Sequence, residues 1–208
     1  MKTVKKKCIS IAFAILSLLS AGCNSDTIAK QGIHYTILPP ISYELPEVVE
    51  IFSLSCTHCR MMEEIMHSLE IKSESDIQKM HCVFNKRTST EAYLYYSAAI
   101  QTEDQPSRLL MDQLFAFIQH DAEGLSGLQV ESKIRDIFHT YNLQAPEDLT
   151  AEQFEKISEL VERDRQIMKE LNLGSVPAIV VNGKYLINMN EHVNLDAVAL
   201  TIKELKTI

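Results

Sequence analysis

Apolar positions change period at a few sharp points along the chain. From Glu47 to Leu54 the sequence reads E-V-V-E-I-F-S-L, a β-branched apolar run that predicts a short buried strand. Directly after Cys56 the spacing turns helical. Cys59, Met62, Ile65, Met66 and Leu69 recur at three- and four-residue steps, with Glu63, Glu64 and His67 between them. Cys56 is therefore expected where a strand ends and a helix begins. Met80 to Phe84 reads as a second core strand holding Cys82. Helical spacing returns over Thr90 to Ile100, Ser107 to Gln119, Val130 to Tyr141 and Ala151 to Leu171, the last opened by a Thr150/Gln153 capping box. Breaks fall at Asp104-Gln105-Pro106, Gly124 to Gly127 and Ala145-Pro146. Asn182-Gly183 between two apolar runs predicts a type I′ hairpin, and Val193 to Leu205 predicts a closing helix. No internal repeat or low-complexity segment interrupts this order.

The first residues follow a different pattern. Lys2, Lys5, Lys6 and Lys7 precede an apolar run from Ile9 to Leu19, then small residues and Cys23, as in an export signal. The run is short for a membrane span, although an uncleaved anchor stays open. Leu19-Ser20-Ala21-Gly22-Cys23 resembles the lipobox of bacterial lipoproteins, in which cleavage leaves a lipidated cysteine. Ser20 stands where that motif usually has Leu, and ordinary cleavage near Ala21 is the alternative. Asn24 after the cysteine implies the outer rather than the inner membrane. The chain of 208 residues carries a net charge of −8, and removing residues 1–22, with four lysines and no acid, takes it to −12. So acidic a body argues against nucleic acid as a partner. With 46% hydrophobic residues it has ample material for a core.

Export changes the meaning of the five cysteines, because thiols outside the cytosol pair if they can. Cys8 leaves with the signal and Cys23 carries the lipid, so Cys56, Cys59 and Cys82 remain. At the start of a helix, free N–H groups and the helix dipole favour an anion. This makes Cys56 a stabilised thiolate and the better nucleophile. Cys59, one turn further in, is placed to close a disulfide. A zinc half-site or a purely structural disulfide are the alternatives, but four zinc ligands are not at hand. Cys82 reads as a core thiol. Glu50, an acid inside an apolar strand, belongs either on the solvent face of an edge strand or buried with a role. Met61, Met62 and Met66 divide between core and rim, where methionine suits varied peptides.

These residues are similar to those of the DsbA family of thiol:disulfide oxidoreductases. The resemblance rests on two blocks, Glu47 to Cys59 and Val176-Pro177-Ala178 through Tyr185, within residues 31–205. It implies a thioredoxin fold, of the α/β class, with a helical insertion: a leader at 1–22, a tether at 23–30, the fold at 31–86 and 171–208, and the insertion at 87–170. It implies further that His58 stabilises the Cys56 thiolate, that Glu50 relays the proton of Cys59 with Lys79 nearby, and that Pro177 is cis and turns Val176 towards the cysteines. No metal or organic cofactor is implied. The implied partners are reduced exported proteins and a membrane quinone reductase of the DsbB type, with the protein as a monomer. Residues 24–45 are too short for the dimerisation domain of a dimeric isomerase. A reductase or isomerase is the nearest rival, and a metal-binding thiol lipoprotein the more distant one. Thr57 stands where the family motif usually has proline.

Overall fold

The computed structural model describes residues 29–208; the expected leader and Cys23 lie outside the described residues. Its centre is β2 (Val48–Phe52), every residue of which is buried. β2 pairs in parallel with β3 (Ile77–His81) and antiparallel with β4 (Ala178–Val181). β4 continues antiparallel into β5 (Tyr185–Ile187), which pairs with β1 (Tyr35–Ile37). The five-stranded mixed sheet thus runs β1-β5-β4-β2-β3. Pairing on both sides explains why β2 is nearly all apolar, and it removes the edge-strand alternative for Glu50.

Helices cover both faces. On one, Met62, Met66 and Leu69 of α1 (Thr57–Ser73) join Val198, Ile202 and Leu205 of α6 (Leu195–Lys206) over Val48, Ile179 and Val181. On the other, Ile167, Met168 and Leu171 at the end of α5 (Ala151–Leu171) pack on Val49, Ile51 and Val180. Alternation along the strands sends neighbours to opposite faces.

Between β3 and β4 lie α2 (Lys86–Ala99), α3 (Arg108–Ala116), α4 (Gly127–Thr140) and α5. Their core of Tyr95, Leu114, Phe115, Phe138 and Ile157 is continuous with Phe52, Leu54 and Cys59 at the end of the sheet. The helices therefore abut the cysteine pair directly.

Local chemistry sets the boundaries, and several differ from the expectation. α2 starts at Lys86 because Asn85 and Thr88 form a capping box, and α4 at Gly127 because Ser126 and Gln129 do the same. α3 passes at Phe117 into a wider π-helical turn, Phe117–Asp121. β3 begins earlier than expected and ends before Cys82, which is buried beyond it with its N–H donated to the Phe52 carbonyl at 2.7 Å. β1 was not foreseen; its three residues are too few to carry a period. The Thr150/Gln153 box and the Asn182-Gly183 turn, with φ of 52° and 62°, form as predicted.

Candidate active site

Cys56 is the N-cap of α1. Its backbone is extended, its N–H donates to Ser53 O at 3.0 Å, and its sulfur receives the N–H of Cys59 at 3.1 Å. One of the free donors at the helix start thus points at the sulfur. Cys56 and Cys59 are paired in a disulfide, with Cα atoms 5.2 Å apart. The two differ sharply in access: Cys56 is half-buried, whereas Cys59 is sealed in the helical core. His58 and Thr57 are exposed.

The segment opposite comes from the start of β4. Val176–Pro177 is a cis bond, as expected, and the Val176 carbonyl lies 3.5 Å from the Cys56 sulfur. His58, Met62, Val176, Pro177 and Asn188 line a cleft of about 740 Å³ beside the disulfide. Met61 is exposed, while Met62 and Met66 are in the core, the division anticipated for the methionines.

Behind the pair, Glu50 is 1% exposed. Lys79 stands opposite it in the β2–β3 register and reaches Glu50 at 2.5 Å and Glu63 at 2.7 Å. Lys79 is therefore inside β3, largely covered, and beside Glu50 as the resemblance implied. Glu63 follows Cys59 by four residues, one helical turn along the same face of α1. Burial pushes the Glu50 pKa up, with Lys79 opposing. Burial lowers the pKa of Lys79, but Glu50 and Glu63 outweigh it, so the net shift is upward and the lysine stays charged.

A family model described as Thioredoxin matches residues 45–204. The chain belongs to the thioredoxin family. Among curated relatives it is 28% identical over 187 residues to the thiol:disulfide interchange protein DsbA of Escherichia coli K12, covering 86% of each chain. It is 24% identical to the Dickeya dadantii protein of the same name over 88% of this chain and 86% of that one. The crystal structure of DsbA from Proteus mirabilis superposes with a TM-score of 0.64 at 22% identity, covering 88% of this chain and all of that one. With the Cys56–Cys59 disulfide at a strand-to-helix junction of this fold, the protein is a thiol:disulfide oxidoreductase of the DsbA kind.

The thioredoxin-family site also contains residues that sequence reasoning missed. Glu63 carried a signal in its four-residue offset from Cys59. Glu91, Ser53, Ser55, His81 and Gln119 carried none that could be read, because α2, the end of β3 and the π-helical turn bring them together only in the fold. Glu91 is 3% exposed and accepts from Ser53 Oγ at 2.9 Å and Ser55 Oγ at 2.8 Å. His81, fully buried, accepts the Leu54 N–H on Nε2 at 3.1 Å and donates from Nδ1 to Cys82 O at 2.9 Å. Burial pushes the His81 pKa down to about 4, so the ring is neutral. The Cys82 thiol is pushed up to about 12 by burial and is inert at neutral pH.

Proposed function

We propose that the protein is an exported thiol oxidase that passes the Cys56–Cys59 disulfide to reduced exported proteins. The observation that carries this reading is the asymmetry of the pair: a half-buried Cys56 capping a helix, and a Cys59 out of reach. A substrate thiolate attacks the Cys56 sulfur, forms a mixed disulfide and breaks the Cys56–Cys59 bond. The electron pair goes to the Cys59 sulfur, which takes up a proton. The substrate's second thiolate then attacks its own sulfur in the mixed disulfide and releases Cys56. Two substrate thiols become a disulfide, and the enzyme leaves as the dithiol.

Each neighbour has a part in this scheme. The Cys59 N–H and the helix dipole hold the departing Cys56 thiolate, and His58 adds a donor from the third motif position. Glu50, its pKa raised by burial, relays the Cys59 proton: it gives the proton as that sulfur is released and takes it back on reoxidation. Val176 and Pro177 present a backbone edge to an extended peptide in the cleft beside the disulfide. A DsbA variant from Proteus mirabilis is known in complex with a non-covalently bound peptide, PWATCDS, which contains a cysteine. The remaining assignments come from the sequence. They are export to the periplasm, a lipid on Cys23 tethering the protein to the outer membrane, a monomeric state, and reoxidation by a membrane quinone reductase of the DsbB type. Among the described residues no helix is long and apolar enough to cross a membrane.

Equilibrating the protein in glutathione buffers tests the direction of transfer. The expected potential lies closer to that of DsbA, about −120 mV, than to that of thioredoxin, about −270 mV. A value near thioredoxin's, with slow oxidation of a dithiol peptide, would overturn the oxidase reading in favour of a reductase.

A further inference from the structure

The three residues before Cys56 are held by local bonds, Cys56 N–H to Ser53 O and Ser55 N–H to Ser53 Oγ, and by side chains from elsewhere in the fold. Gln119, on the π-helical turn after α3, donates to the Leu54 carbonyl at 2.9 Å, while His81 accepts the Leu54 N–H. The Glu91 carboxylate is the centre of the arrangement. One oxygen accepts from Ser53 Oγ, from Ser55 Oγ and, at 3.3 Å, from the Ser55 backbone N–H. The other accepts from Arg87 Nε at 2.9 Å, but Arg87 itself is 69% exposed, so solvent weakens that compensation. His81 Nε2 lies 3.9 Å from the same carboxylate, and being neutral it offers no counter-charge. The Glu91 carboxylate is thus held against Ser55, the residue adjoining the nucleophile, in a low-dielectric setting where fields reach further than in water.

We propose that Glu91 is a positioning residue that sets the oxidising strength of the disulfide. It orients Ser53 and Ser55 ahead of Cys56, and its charge opposes the stabilisation that the helix start gives to the Cys56 thiolate. The helix and the motif push the pair towards a strong oxidant; Glu91 pulls it back. This rests on thiol–disulfide exchange at Cys56, but not on its direction, since the readout is a shift relative to wild type whatever the wild-type potential is.

The test measures two quantities in the full protein: the thiolate pKa of Cys56, followed by absorbance near 240 nm, and the equilibrium constant with glutathione. Glu91→Gln keeps a carbonyl acceptor for the serines and removes the charge. It should lower the Cys56 pKa and make the disulfide about three- to tenfold more oxidising, tenfold being about 30 mV. Ser55→Ala, a small change at a half-buried site, removes one donor that partly neutralises the carboxylate, and should shift both quantities by about twofold in the opposite sense. If Glu91→Gln changes unfolding stability while both quantities stay at wild-type values, the role is structural and the proposal fails. If Glu91→Gln does not fold, Ser55→Ala decides alone: a shift towards weaker oxidation supports the proposal, and no shift or a shift towards stronger oxidation overturns it.

Discussion

Glu50 and Glu91 are both buried carboxylates behind the Cys56–Cys59 pair, yet the fold satisfies them by different means. Glu50 shares one lysine with Glu63 in the space between β2, β3 and α1. Glu91 is surrounded by two hydroxyls and a backbone N–H and meets its cation only at the surface. A single cation between two acids leaves a protonation state that can change, and burial raises the Glu50 pKa against the pull of Lys79. Several oriented neutral donors fix a carboxylate in place. The Cys59 side is therefore suited to moving a proton, and the Cys56 side to holding a loop and a field steady.

The largest effect should come from removing the cation that Glu50 needs. Lys79→Met leaves Glu50 and Glu63 facing each other in a covered site, and should cost about 3 kcal/mol or more in urea unfolding at pH 7. The loss should shrink at pH 5. Without the lysine the folded-state pKa of Glu50 lies still further above its unfolded value, so the folded form binds the extra proton and gains stability as pH falls. An equal loss at both pH values would mean that Lys79 acts by packing alone.

His81 sharpens the contrast on the other side. Its folded pKa of about 4 lies below the unfolded value near 6.5, so the unfolded chain binds the extra proton between these limits. The stability it contributes is complete above pH 6.5 and is lost as pH falls towards 4, by about 3 kcal/mol at 1.4 kcal/mol per unit. His81→Gln keeps an acceptor for the Leu54 N–H and should flatten this part of the stability profile, whatever it does at pH 7. A wild-type slope in that variant would show that other groups produce the acid loss. The smallest effect belongs to Arg87→Ala, which removes a mostly exposed partner and should change stability by about 0.5 kcal/mol or less. A loss comparable to that of Lys79→Met would erase the distinction between the two carboxylates.

The parts of the site readable in the sequence are those set by neighbours along the chain. The change from strand to helical spacing located Cys56 as a helix cap, and Asn182-Gly183 located the hairpin, because period and turn chemistry are local. The capping pairs at Asn85/Thr88 and Ser126/Gln129 were equally local and were passed over, which shifted the starts of α2 and α4. Glu91 could not be found in this way. A glutamate within a helical stretch ordinarily faces water, and only the packing of α2 against the ends of β2 and β3 turns it inward. Lys79 could be placed near Glu50 only through the family resemblance, because the cross-strand register that joins them is not written in local spacing.

The pairing of Val48 with Val181 bears on how the molecule comes into being. Joining strands so far apart in the chain is thermodynamically mild, since loop entropy grows only with the logarithm of length. The helices α2 to α5 add about 1 kcal/mol to that closure. In time the separation weighs more, because distant contacts form late. Synthesis, which runs from the N-terminus, delivers Cys56 and Cys59 long before Val176. The reactive pair thus emerges without the β4 edge that lies opposite it in the finished fold. Only when the C-terminal hairpin arrives does the second half of the cleft exist, so the nascent chain carries an unfinished site until its synthesis is nearly complete.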